Sequence, residues 1–360
     1  MIVSHKKWIV SFLIGVAATL LLLSGAAYLV DPFFQFRVKD NTYVLKSWVN
    51  ASGLVENYDY DTLIVGSSLT QNFNMSLFRE YFGCEPLHVG LGAVRPAEVL
   101  ELMNVAYDAR KADRYFVCVD FYFFTNVPKE NRFPRYVMEK DVLSRFRYFL
   151  SFEAWFRFIP VDVGLMLADK MNVKMPKKSL VYQRSIDWMN NWGVFYTPKS
   201  KSEMTEIIKQ AYRRELEAYD MPSDETECYA EMAFRADDFL GRFTFENGEH
   251  IFFFPPYSSA YWCSKQDAGL FEPYLRAKEH FIKKAAEYGA TVYDFQSADF
   301  TMNIENYKDL SHYLPKFNDW MVECFATGDY LVTEENAPAF REKLIENTNR
   351  FRKENEELFR

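Results

Sequence analysis

Apolar positions fall along this chain in two alternating rhythms, preceded by one stretch that shows neither. From Trp8 to Val30 no charged residue interrupts the run. Crossing a bilayer core as a helix takes about 20 apolar residues, so the run predicts one transmembrane helix, ended at Asp31-Pro32. Further on, short continuous apolar runs of strand length occur at Thr62 to Gly66, Leu87 to Gly90, Tyr115 to Phe121, His250 to Pro255 and Thr291 to Phe295. Segments of helical period separate them. Pro96 to Ala112 begins with a proline where the missing amide costs little, and Phe271 to Tyr288 is ended by Gly289. Strands alternating with helices predict an α/β domain with a mainly parallel sheet covered by helices. Ligands of such sheets bind beyond the carboxyl ends of the strands, and Ser68, Gly90 and Asp120 all fall at such ends.

The stretch from about Glu130 to Glu246 breaks the alternation. It is rich in Arg, Lys, Glu, Trp and Met, shows helical period around Ile207 to Tyr219, and offers no strand for the central sheet. An insertion of this size between core strands is expected to be a lid or substrate platform. Trp155, Phe156, Trp188, Trp192, Phe195 and Tyr196 have faces that can stack on sugar rings or simply pack the insertion onto the core. Pro338 to Arg360 reads as a charged amphipathic helix closing the fold. The domain organisation that follows is a tail and anchor over residues 1–30, then one domain over 31–360 with its insertion at about 130–246.

Charge decides which side of the membrane that domain occupies. Lys6 and Lys7 precede the apolar run, and by the positive-inside rule the short basic tail stays in the cytoplasm while everything after Asp31 is exported. Small residues at Ser24-Gly25-Ala26-Ala27 offer a cleavage site, but the apolar run exceeds the roughly 7 to 15 residues of a signal peptide, which favours an uncleaved anchor. The net charge is −8, and setting aside the two N-terminal lysines leaves about −10 for the exported part. Phosphate binding needs clustered Lys and Arg, so nucleic acid is excluded as a partner. With 34 Phe and 23 Tyr the chain is too aromatic for disorder. Five cysteines, Cys84, Cys118, Cys228, Cys263 and Cys324, form no C-x-x-C pair and no metal-ligand spacing. Their odd number rules out complete pairing and leaves room for one disulfide such as Cys228–Cys263.

Two distant segments carry candidate chemistry. Gly66-Ser67-Ser68 follows the first strand, and Asp309-Leu310-Ser311-His312-Tyr313 follows the last. Acyl transfer by serine needs a hydroxyl held at the end of a rigid element, an imidazole to take its proton, and a carboxylate to orient the imidazole. Asp309, three residues before His312, can turn back onto the ring. Each residue also has a plainer role. Ser67 or Ser68 can cap the following helix, His312 can be a satisfied buried histidine, and Asp309 can be a loop or cap residue.

Together these strings resemble the SGNH, or GDSL-like, hydrolase superfamily, with Val89-Gly90-Leu91-Gly92-Ala93 as a second block and Asn318 following the third. The chain is most similar to its membrane-anchored branch, which includes the D-alanyl-lipoteichoic acid transfer and alginate O-acetylation proteins. The resemblance implies a doubly wound, flavodoxin-like sheet, with Ser68 as nucleophile, His312 as base and then acid, and Asp309 as orienting carboxylate. It implies an oxyanion hole from the Ser68 amide and that of Gly90 or Gly92. The family's Asn donor has no counterpart, because Val119-Asp120-Phe121-Tyr122 stands in that place and makes Asp120 a candidate pocket residue. No cofactor is implied, since neither a G-x-G-x-x-G nor a P-loop follows the first strand.

The expected function is that of a single-pass, extracytoplasmic serine acyltransferase or esterase acting on a cell-surface glycan or teichoic acid, beside a multi-spanning membrane O-acyltransferase. One alternative is a catalytically inactive scaffold or binding subunit for that acyltransferase. Another is an anchored binding protein for a small ligand, which predicts that Asp309 and His312 lie far from Ser68.

Overall fold

A computed structural model describes residues 5–38, 47–126, 131–173 and 199–359. The chain divides into two compact units, one drawn from Met1–Tyr58 and Arg132–Met189, the other from Asp59–Asn131 and Asn190–Arg360.

The second unit is built on a six-stranded sheet. Its strands are β1 (Thr62–Gly66), β2 (Pro86–Gly90), β3 (Arg114–Cys118), β4 (Glu249–Phe254), β5 (Thr291–Asp294) and β6 (Leu331–Val332), in the order β2-β1-β3-β4-β5-β6. The first five are parallel, and the short β6 pairs antiparallel with β5. Parallel strands buried on both faces read as continuous apolar runs, which is why β1 and β4 were legible. β4 shows the alternation physically. Phe252 and Phe254 pack on Phe281, whereas Phe253 packs on Phe73 and Phe325. Phe281 belongs to the helix Phe271–Glu287, and Phe325 to the helix Pro315–Thr327. Helices therefore cover both faces, and each fully buried ring contributes roughly 1.5–3 kcal/mol.

Most predicted elements recur with edges moved by a few residues. The helix expected at Pro96 to Ala112 spans Pro96–Ala109 and stops where Arg110 takes a left-handed φ of 51°. The final helix spans Ala337–Glu354. The third strand departs from expectation, ending at Cys118 rather than Phe121. Beyond it Val119 still donates to the Phe253 carbonyl, but Asp120 then opens a 3-10 turn over Phe121–Phe124, with Phe123 N donating to Asp120 O at 3.0 Å. The aromatic run that mimics a strand is buried by side-chain packing and not by ladder pairing.

The other unit begins with the helix α1 (His5–Val30), the one helix among the described residues long and apolar enough to cross a membrane. Its 26 residues span about 39 Å at a rise of about 1.5 Å each. Asp31 ends it at a φ of 42°. The buried Asp31 carboxylate accepts the amides of Gln35, Phe36 and Arg37 and the hydroxyl of Tyr148 at 2.8 Å. Burial nonetheless raises its pKa, against the pull of those donors. Helices α2 (Ser47–Asn57), α5 (Arg135–Met138), α6 (Val142–Phe149) and α7 (Ile159–Lys170) complete this unit, so the labels α3 and α4 go to Met75–Phe82 and Pro96–Ala109 of the sheet unit. Ala27, Phe33, Val49, Tyr148, Phe158 and Ile159 lie in its core.

Gly66, the last residue of β1, has no room for a side chain. A Cβ there would lie 2.7 Å from that of Cys118 and would overlap the Thr70 methyl. Gly66→Ala is expected to cost about 1–3 kcal/mol, read as a fall in the thermal unfolding midpoint of the full chain in detergent. Gly92, with open space around its α carbon, is the control, and Gly92→Ala should stay within about 0.5 kcal/mol.

Candidate active site

Strand β1 carries the chain to the carboxyl edge of the sheet, where Ser67 is extended and a 3-10 turn begins at Ser68. The two serines divide their labour. Ser67 Oγ caps the turn by accepting the Leu69 amide at 3.2 Å, so the capping role open to either serine falls to Ser67. Ser68 Oγ instead lies 2.8 Å from His312 Nε2. The ring's other nitrogen, Nδ1, lies 2.9 and 2.8 Å from the two Asp309 oxygens. A carboxylate can only accept, so Nδ1 carries the proton, and Nε2 is left to accept from the Ser68 hydroxyl. A His312 remote from Ser68, as the small-ligand binding reading requires, is not found.

Asp309 is held in place by more than the ring. Its Oδ1 accepts the amides of Ser311 and His312 at 2.9 Å each, and the Ser311 hydroxyl reaches it at 3.3 Å. Burial works to raise the Asp309 pKa, but the hydrogen bond and charge of His312 and the two amides outweigh it and hold the carboxyl well below its usual range. The surrounding loop is closed by Lys308 N donating to His312 O at 2.8 Å and by a bridge between Tyr307 and Tyr313. Docking onto the serine turn comes from Tyr313 Oη and Asn318 Nδ2, which donate to the Leu69 carbonyl at 2.8 and 3.0 Å. Ser258, just past β4, secures the other side through its hydroxyl on Leu310 O at 2.6 Å.

The second block divides between structure and site. Gly90 ends β2 in register with Gly66. A Cβ on it would meet the His88 ring at 2.8 Å and Thr70 Oγ1 at 3.0 Å. Thr70 donates its hydroxyl proton to Ser67 O, so His88 Nε2–H donates to Thr70 Oγ1 at 3.0 Å. Gly90 is thus explained by packing under the serine turn. Gly92 is exposed in the turn Leu91–Val94, beside Ala93 at a left-handed φ of 50°. Among the described residues the amides of Ser68 and Gly92 donate to no protein acceptor.

Asp120 does not line an open pocket. It is fully buried behind the serine turn. Tyr257 donates to its Oδ1 at 2.6 Å, and Tyr122 Oη lies 3.3 Å from Oδ2 and 2.9 Å from the Val94 carbonyl. Tyr122 has one proton to give. If Val94 takes it, the tyrosine oxygen can accept from Asp120 in its protonated form. Burial pushes the Asp120 pKa up to about 6, against the opposing hydrogen bonds of Tyr257, Ser67 and Tyr122 and the charge of His312. Tyr122 and Tyr257 were not singled out in the sequence. Their one signal is position, since both follow the carboxyl end of a core strand.

Two other histidines have partners of their own. His250 is buried against Tyr107 Oη at 2.7 Å, with burial lowering its pKa to about 4, and His280 pairs with Asp237. Among the described residues no group of His, Cys, Asp and Glu is arranged to hold a metal. All five cysteines are free and buried, so Cys228 and Cys263 are not joined. Trp155 gives its indole N–H to the Phe149 carbonyl at 2.7 Å, and Phe156 is exposed. Trp188, Trp192, Phe195 and Tyr196 lie outside the described residues.

No protein-family model matches this chain, and no curated protein matches it.

The Asp120 shift has a sign that can be measured. A carboxyl with pKa 3.8 when unfolded and about 6 when folded contributes stability that is fully present below pH 3.8 and lost as pH rises through 6. The loss is about 3 kcal/mol. Asp309, shifted the other way, contributes stability present above pH 3.8 and lost below it. Subtracting the unfolding free energy of Asp120→Asn from that of the native chain isolates the first effect. That difference should fall by about 2 kcal/mol between pH 4 and pH 7, and a flat difference would contradict the assignment.

Proposed function

We propose that the protein is a membrane-anchored, extracytoplasmic serine acyltransferase or esterase of SGNH type, acting on a cell-surface polysaccharide or teichoic acid. The observation that carries this reading is the unbroken relay from Asp309 through His312 to the Ser68 hydroxyl at the carboxyl edge of a parallel sheet. The strand order 2-1-3-4-5, that of flavodoxin-like doubly wound folds, supports the same family.

In this mechanism Ser68 Oγ attacks the acyl carbonyl carbon as its proton passes to His312 Nε2. Asp309 stabilises the resulting imidazolium. The carbonyl oxygen takes up the negative charge and is met by the amides of Ser68 and Gly92. Collapse breaks the bond to the leaving oxygen, which takes the proton from His312 and leaves an ester on Ser68. A polymer hydroxyl, or water in the hydrolytic case, then gives its proton to His312 and attacks that ester, and the proton returns to Ser68 Oγ. Lys6 and Lys7 in the first turn of α1, followed by its apolar span, support an anchor with the sheet unit exported, where a multi-spanning O-acyltransferase would supply acyl groups.

Two measurements test the reading. The full chain in detergent, treated with a fluorophosphonate, should carry the label on Ser68 by mass spectrometry, with labelling lost in Ser68→Ala. With an activated ester, Ser68→Ala and His312→Ala should each reduce turnover by about 1000-fold or more, and Asp309→Asn by a comparable factor. Turnover unchanged in Ser68→Ala would remove the proposed nucleophile. Unchanged surface acylation in cells carrying that substitution would favour the scaffold reading.

A further inference from the structure

The helix that follows α6 is apolar on both sides. Ala154, Phe158 and Leu165 are buried, which satisfies one face. Phe152, Phe156, Val163, Leu167 and Met171 recur at helical spacing on the other, through a π-helical turn at Ala154–Phe158 and along α7. That second face is exposed, with Phe152 at 72%, Phe156 at 70% and Leu167 at 54% of full accessibility. The rings of Phe152 and Phe156 stack on each other with centroids 4.5 Å apart. On the neighbouring α6, Val142 is 85% exposed, and Leu143 and Phe146 are also open. Glu153, Arg157 and Lys170 supply polar positions beside this stripe, and soluble surfaces rarely keep so large an apolar patch.

Its place in the fold identifies the occupant. Both α6 and α7 pack against α1. Ala27, in the last turns of α1, shares a core with Ala154, Phe158 and Ile159, so the exposed stripe adjoins the end of the span. Asp31 fastens this arrangement by accepting the Tyr148 hydroxyl from α6. Arg147 and Lys170, both exposed, stand at either end of the stripe with stems long enough to reach lipid headgroups.

We infer that the stripe from Phe152 to Met171, with the apolar residues of α6, is an interfacial foot embedded in the bilayer leaflet around the end of α1. The helices lie in the plane of the leaflet, as amphipathic interfacial helices do, and fix the orientation of this unit on the membrane surface. The inference rests on the membrane-spanning reading of α1 and not on the chemistry of Ser68.

The test uses the full chain in vesicles of phosphatidylcholine and phosphatidylglycerol. Single cysteines are introduced by Phe156→Cys and Leu167→Cys on the foot, Leu21→Cys on α1 and Glu287→Cys on the exposed surface of the sheet unit. The native cysteines are all buried, and the unsubstituted chain gives the labelling background. Each cysteine carries a nitroxide whose exposure to oxygen and to a water-soluble nickel chelate is read by electron paramagnetic resonance. Labels at 156 and 167 are expected to favour oxygen, as the label at 21 does, while the label at 287 favours the chelate. A lipid signal at 21 with aqueous signals at 156 and 167 would overturn the foot and leave the anchor standing, whereas an aqueous signal at 21 would overturn the anchor and the foot with it. Foot labels that are aqueous in pure lipid but immobilised once native membrane proteins are added, or that couple to a second copy, would overturn the lipid assignment in favour of a protein partner.

Discussion

A single backbone oxygen organises the candidate site. The Leu69 carbonyl receives hydrogen bonds from Tyr313 and Asn318 and so ties the turn that begins at Ser68 to a segment some 240 residues further along the chain. The Ser68–His312 distance depends on that attachment, because neither residue reaches the other through local structure. The imidazole's direction is set within its own loop by Asp309 and two amides, so docking has only to position a preassembled pair. This division suits chemistry that tolerates little geometric error.

Beneath that attachment, the carboxyl ends of four parallel strands are cross-linked by polar side chains. From β1 come Ser67 and Thr70, from β2 His88 and the glycine turn, from β3 Asp120 and Tyr122, and from β4 Tyr257 and Ser258. Asp120 is central to this net. It receives Tyr257 from the next strand, and through Tyr122 it reaches Val94 beside the proposed oxyanion donors. A buried, satisfied network of this kind rigidifies its surroundings but leaves a group whose charge state responds to pH. The residue that stands where the resemblance expects an amide donor is therefore part of the support behind the serine.

The five parallel strands were legible because burial on both faces removes polar interruptions, and glycines mark where β1 and β2 stop. Ser68, Asp309 and His312 were legible because their chemistry requires specific side chains at a recognisable spacing. Features built on backbone acceptors were not. Nothing in the sequence marks the Leu69 carbonyl as the target of Tyr313 and Asn318, or Val94 O as that of Tyr122. The end of β3 was missed because Phe121, Phe123 and Phe124 are as apolar as strand residues, and the turn follows from Asp120's non-local partners. Gly90 and Gly92 looked equivalent in the sequence, and only the His88 ring against Gly90 separates a packing glycine from one in an open turn. The grouping of Arg132–Met189 with the N-terminal segment depends on contacts such as Tyr148 to Asp31, which join residues more than a hundred positions apart.

The five unpaired cysteines carry a consequence for durability. Burial raises the pKa of every one of these thiols, to about 12 for Cys263 and Cys324, and thiol exchange proceeds through the thiolate. The folded protein therefore holds its thiols in the unreactive, protonated form. The finished protein should be equally durable in oxidising and in strictly anaerobic surroundings, its longevity resting on packed aromatic rings instead of covalent staples.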